Sequence, residues 1–191
     1  MKQSLRNCQK TRIFKTSVWM APISKRIKRV RVPREGELPT QKAKDVEAYV
    51  QNQCIGVSRG GRSTKIHVAV DGLGNPIRVF LTSGEVHDSK LAKTLLEPID
   101  IAGATVLADK AYGSFEIREY IADRDADFCI PPKANESDPW FVDWSHYKER
   151  ALVENFFLKI KEYRRIAMRF EKLAVRFLAF VHIACFLIWL K

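Results

Sequence analysis

Cysteine is sparse in this chain: four residues, Cys8, Cys54, Cys129 and Cys185, with no Cys-x-x-Cys spacing and no pair of histidines near any of them. That excludes a zinc knuckle and a disulfide framework, so a reducing cytoplasm is the expected compartment. No secretory leader is expected either, because the first residues alternate basic and polar side chains without the roughly 7 to 15 residue apolar core a leader needs. Long apolar runs are limited to one, Leu173 to Leu190. Arg176 and His182 interrupt it, so it is expected to be a core helix docked under a sheet, with no membrane as partner. Acid is scarce in the first fifty residues, where 13 Lys and Arg stand against four Asp and Glu, an excess of nine within a total net charge of +11. Such a block reads as a nucleic-acid patch or a disordered arm, because neutralising a polyanion releases its counterions. A pI near 9.6 agrees with an acidic partner. What is present in ordinary amount is hydrophobic content, 46% of 191 residues, enough for one domain with a core.

Taken in order, residues 1 to 50 give no firm element. Lys25 to Arg31 is basic, Pro33 and Pro39 break any helix, and Gly36 adds a turn. The run Ser58 to Arg62, SRGGR, is a glycine-hinged loop carrying Arg59 and Arg62. Thr64 to Val70 alternates and is rich in β-branched residues, Asp71 to Pro76 is dense in turn residues, and Ile77 to Leu81 is apolar again, which predicts a hairpin with Asp71 as a turn residue. Gly84 to Asp88 is a polar loop in which Asp88 is expected to cap a helix over Lys90 to Ile99. Thr105 to Ala108 is the most interior-looking strand, and Asp109 stands at its carboxyl end, where ligand-handling groups collect in open α/β sheets. Phe115 to Arg124 reads as a helix and Asp127 to Ile130 as a strand. In the loop from Ala134 to His146, Trp140, Phe141 and Trp144 could pack on the core or stack on unpaired bases, while Glu136, Asp138 and Asp143 would repel DNA.

Tyr147 to Lys161, YKERALVENFFLKIK, has a helical period. At about 100° per residue, Tyr147, Arg150, Glu154 and Lys161 lie at roughly 0°, −60°, −20° and −40°, one polar stripe about 21 Å long. Leu152, Val153, Phe156, Phe157 and Ile160 supply the apolar sides. A solvated surface helix would show the same i,i+4 pairing.

The spacing Tyr-x2-Arg-x3-Glu-x6-Lys, filled by Tyr147, Arg150, Glu154 and Lys161, resembles the C-terminal signature of insertion-sequence transposases of the broad IS4/IS5 group. Asp109-Lys110-Ala111-Tyr112 resembles the middle motif of that group. Ser58 to Pro76 is similar to the body of the IS5 family, in which Gly-x-x-His-Asp, here Gly84 to Asp88, also recurs. The resemblance covers about residues 53 to 191, so the chain divides into a basic N-terminal segment, 1–52, and a DDE catalytic domain, 53–191. It implies an α/β, RNase H-like mixed sheet flanked by helices, and DNA transposition with two Mg²⁺ ions held by three carboxylates. Asp109 and Glu154 would be the second and third of these. Tyr147, Arg150 and Lys161 would steer phosphates, joined by Arg164, Arg165, Arg59 and Arg62. The implied partners are double-stranded DNA at the element's ends and at the target, and a homodimer is the implied assembly. The family's first Asp, on a strand and followed by a small and a hydroxyl residue, is not found before residue 53. Asp45 is the acid that could substitute, and the sheet is expected to lack its usual first strand. The N-terminal segment therefore reads as incomplete or frame-shifted with respect to the family, and a non-catalytic DNA-binding or dimerising fragment is the alternative function.

Overall fold

Alternation along Thr64 to Val70 sends Ile66, Val68 and Val70 into one apolar cluster and Ala69 into another, with His67 buried between them in sequence. A strand buried on both faces has to lie inside a layered structure, with helices above and below the sheet. The computed structural model of this protein, which describes residues 53–58 and 61–190 together with the backbone of residues 17–26, has that arrangement.

Six strands form one mixed sheet: β1 (Ser17–Arg26), β2 (Gly56–Ser58), β3 (Gly61–Val70), β4 (Pro76–Ser83), β5 (Thr105–Ala108) and β6 (Asp127–Cys129). β3 is flanked by β1 on one side and by β2 and β4 on the other, all antiparallel to it. β1 then pairs parallel with β5, and β5 parallel with β6. This is the RNase H-like order, with one difference from expectation. The first strand is present. Ser17–Arg26 lies between β3 and β5, from Trp19 opposite Val70 to Arg26 opposite Ser63. It escaped the sequence reading because Pro22 and the polar Ser24-Lys25-Arg26 end break the alternation, and proline is unusual inside a central strand.

Among the described residues there are six α-helices: α1 (Ala92–Leu96), α2 (Phe115–Ala122), α3 (Trp144–Tyr147), α4 (Ala151–Lys161), α5 (Arg164–Ala167) and α6 (Ala174–Trp189). α1 and α2 bury Leu95, Leu96, Ile117 and Ile121 against Ala69, Val106 and Ala108 on one face of the sheet. α4 and α6 bury Val153, Phe156, Phe157, Ile160, Phe177 and Val181 against Ile66, Val68, Val70 and Leu107 on the other. Each such side chain contributes about 1.5–3 kcal/mol on burial. α6 is the expected core helix, and among the described residues no helix is long and apolar enough to cross a membrane.

The hairpin between β3 and β4 is as expected. Asp71 Oδ1 accepts from the amides of Leu73 and Asn75 at 2.9 and 2.8 Å, which makes Asp71 a turn residue. Asp88 does not cap the helix that follows it. Lys65 on β3 reaches it at 2.8 Å while also donating to Val86 O, and an ion pair within reach outcompetes a cap. Arg169 is fully buried, with the charge of Glu171 acting on it. It donates to Thr64 Oγ1 and to the carbonyls of Glu171 and Lys172 at 2.6, 2.9 and 3.1 Å, tying the approach to α6 onto β3.

Candidate active site

β5 alternates as β3 does: Val106 and Ala108 enter the α1–α2 core, and Leu107 enters the α4–α6 core. The next residue, Asp109, therefore falls on the α4 side, where the strand has just ended. The turn after it is fixed by Tyr112, whose amide donates to Asp109 O at 2.9 Å and whose ring is buried in the α1–α2 core. Burial pushes the Tyr112 hydroxyl well above its ordinary range, so this residue of the Asp-Lys-Ala-Tyr motif is an anchor. Lys110 is exposed, and the partner of Asp109 is Arg150.

The stretch from Tyr147 to Lys161 turns helically throughout, as its period predicts, but tightens in the middle. α3 is capped by Asp143, whose Oδ1 accepts from Ser145 and His146 at 2.9 and 3.2 Å. A 3₁₀ turn, Lys148–Arg150, then joins α3 to α4. Tyr147 and Arg150 face Asp109 across this turn, and Glu154 stands one α-turn further on. Arg150 Nη1 donates to Asp109 Oδ1 at 2.9 Å and to the Tyr147 hydroxyl at 3.4 Å, and Nη2 meets Glu154 Oε1 at 2.8 Å. The Tyr147 hydroxyl in turn donates to Asp109 Oδ1 at 3.3 Å. One guanidinium thus joins two carboxylates from motifs 45 residues apart in the chain.

Electrostatics suit a waiting site better than a structural one. Arg150 and Asp109 are 41% and 42% exposed and Glu154 57%, so these ion pairs contribute no more than about 1 kcal/mol to folding. Burial raises the pKa of Tyr147, the hydrogen bond from Arg150 opposes it, and the charge of Asp109 adds to it. The phenol stays a neutral donor. Burial acts to lower the pKa of Arg150, but its hydrogen bond to Tyr147 and the neighbouring negative charges raise it overall, and the guanidinium stays charged.

The other expected residues divide. Lys161 is exposed at the end of α4, two turns or roughly 10 Å beyond Glu154. Arg164 is exposed on α5. Arg165 is exposed too, but pairs with Glu171 at 2.9 Å and lies over Phe180. Arg62 is exposed on β3, opposite Val57, roughly 20 Å along the strand direction from the level of Asp109. Asp45 and Arg59 lie outside the described residues. Of the three loop aromatics, Trp140 packs: its indole donates to Ile130 O at 2.7 Å and Arg118 stacks on it at 3.7 Å. Phe141 is 91% exposed, and Trp144, 60% exposed, meets Tyr147 edge to face. The bridging role of Arg150 was not legible in sequence, since spacing places it on a face without saying what the face meets.

Among the described residues no group of three His, Cys, Asp or Glu side chains is close enough to hold a metal ion. β1, the parallel neighbour of β5, contains no Asp or Glu at all.

A family described as Transposase DDE domain matches residues 28–140, and a second family of the same description matches residues 106–191. The protein named as a transposase for insertion sequence element IS6501 in Brucella ovis is 42% identical over 130 residues, covering 68% of this chain and 99% of that protein. Among solved structures, the piggyBac transposase synaptic complex with hairpin DNA is similar over 63% of this chain, at 10% identity and a TM-score of 0.42. The Mos1 transposase paired-end complex with the left transposon end is similar over 88% of this chain, at 16% identity and a TM-score of 0.33. The chain spans 24% and 55% of the lengths of those two chains.

Proposed function

Because the chain belongs to the DDE transposases of insertion sequences, we propose that its site handles phosphodiesters of double-stranded DNA, at the element's ends and at the target, with Asp109 and Glu154 as the second and third carboxylates. The IS5 family is the branch whose motifs it shares. The observation that carries the reading is the guanidinium of Arg150 held between both carboxylates and Tyr147. A phosphate entering this site offers Arg150 a bidentate acceptor of the same geometry as the carboxylates it now holds, so DNA would draw Arg150 away from Asp109 and Glu154. Tyr147 would keep Asp109 oriented while this happens. Lys161 and Arg164 extend the cationic track along the backbone, and Arg62, with Arg59 close to it in sequence, would add to the basic surface; such contacts set position and salt dependence and leave base identity unread.

DDE transposases generally use divalent metal ions. Two Mg²⁺ ions would need hard oxygen ligands enough to offset two dications. The described residues do not fit that pair, since they bring two carboxylates to the site, both already on Arg150, and the strand beside Asp109 has none. The acid-free β1 favours a second reading as well, a DNA-binding form that joins no strands and competes with an intact transposase for the same ends.

The test is binding of a duplex carrying the element's terminal repeat to the full chain, by fluorescence anisotropy. Arg150→Ala should weaken binding by about tenfold or more, the loss of one or two charge-assisted hydrogen bonds. A variant that binds as well as the native chain, or a native chain with no affinity for the duplex, overturns the reading.

A further inference from the structure

β1 and β5 run parallel, with Ser17 level with Thr105 and Met20 level with Ala108. Carried one residue further, this register brings Ala21 level with Asp109. Adjacent strands lie about 4.8 Å apart, a spacing at which carboxylates on both strands can share one cation at oxygen distances of about 2.1 Å. Position 21 is thus where a carboxylate would complete the set, and it is an alanine within a strand, SVWMAPISKR, that has no acid at any of its ten positions. On the β5 side, Arg150 already offers its positive charge to Asp109 at 2.9 Å and Glu154 at 2.8 Å. A metal ion arriving there would have to displace that guanidinium with only two carboxylates to hold it.

We propose that this chain has kept the frame of the site and exchanged its cation: Arg150 is the counter-ion of Asp109 and Glu154, position 21 is the vacated ligand position, and no divalent ion is retained there. The inference rests on the assignment of Asp109 and Glu154 as the site's carboxylates. It separates two things that usually travel together, the topology that aligns β1 with β5 and the residue that makes the alignment useful.

The experiment is titration of Mn²⁺ alone into the full-length chain, with free Mn²⁺ read by electron paramagnetic resonance and no DNA present. The native chain should show no saturable uptake. Ala21→Asp should gain a site at least about tenfold tighter than any native background, given that removing even an outer partner of a metal ligand costs about 10- to 100-fold. Adding Asp109→Asn to that variant should abolish the gain, and Ala21→Asn should behave as native. Arg150→Gln is the second variant, needed if Ala21→Asp does not fold by circular dichroism: freeing two carboxylates of their counter-ion should give weak Mn²⁺ uptake that Asp109→Asn removes. Saturable uptake by the native chain that disappears in Asp109→Asn or Asp45→Asn overturns the proposal, as does a folded Ala21→Asp or Arg150→Gln that gains nothing. Because the readout contains no DNA, a failed DNA-binding test and a failed Mn²⁺ test indict different assignments.

Discussion

β1 and β5 are parallel neighbours in the middle of one sheet, yet β5 ends in a carboxylate gripped by Tyr147 and Arg150 while β1 carries no acid. Both strands satisfy the sheet; only β5 is followed by a carboxylate of the candidate site. The contrast shows that pairing and chemistry are specified separately. A strand is held by hydrogen bonds along its length and by what packs over it, whereas the site depends on a single side chain at a strand's end. A chain can therefore keep an RNase H-like frame while its described residues bring two carboxylates, and not three, to the candidate site.

The largest effect is expected on the β5 side, where the site is supported by packing. Phe156 is 1% exposed in the core under α4, and Phe156→Ala should cost about 3–5 kcal/mol in urea unfolding. It should reduce DNA binding only as far as it unfolds the chain. A loss below about 1 kcal/mol would mean that α4 is not seated on the sheet as described.

Next in size is an acid sensitivity centred on β3, the antiparallel neighbour of β1. His67 is buried, bonded to Thr82 Oγ1 at 2.8 Å and stacked on Phe80, and burial lowers its pKa from 6.5 to about 4. The unfolded chain therefore binds the proton first. The stabilisation from a neutral His67 is complete above pH 6.5, falls as pH drops through the window down to about 4, and is gone below it, a swing of roughly 3 kcal/mol. His67→Gln should flatten this part of the stability profile; an unchanged slope between pH 6.5 and 4 would contradict the burial.

Smaller still is the stability effect of Arg150→Ala, which should be within about 1 kcal/mol because the pairs it breaks are half exposed. A large destabilisation would make Arg150 a structural residue and weaken its place in the site. Smallest is the contribution of the basic stretch after β1. Replacing Lys28, Arg29 and Arg31 by Gln should reduce the slope of log K against log salt by at most about 0.9 for each phosphate no longer neutralised. Deleting residues 1–50 would not isolate that effect, since the deletion takes β1 out of the sheet.

What the sequence disclosed follows from how local each signal is. Thr105 to Ala108 is legible to the residue because a β-branched threonine and three apolar side chains in a row, bounded by Asp109, read as a buried strand, and the polar stripe from Tyr147 to Glu154 is legible because its period is that of a helix. β1 is not legible: its partners lie 37 to 51 residues away on β3 and 88 residues away on β5, and Pro22 removes an amide donor from its middle. Asp88 looked like a cap because a cap is local, while its partner Lys65 is 23 residues upstream. The aromatics at 140, 141 and 144 looked alike, and only the carbonyl of Ile130 and the guanidinium of Arg118 separate the packed Trp140 from the exposed other two.

The central claim, a site with its frame intact and its carboxylates incomplete, is met most directly by a strand-joining assay with the purified chain, a terminal-repeat duplex, a target plasmid and Mg²⁺. The account predicts no joined product above the protein-free control. Joined product that disappears in both Glu154→Gln and Asp45→Ala would contradict it, and would make Asp45 the third carboxylate.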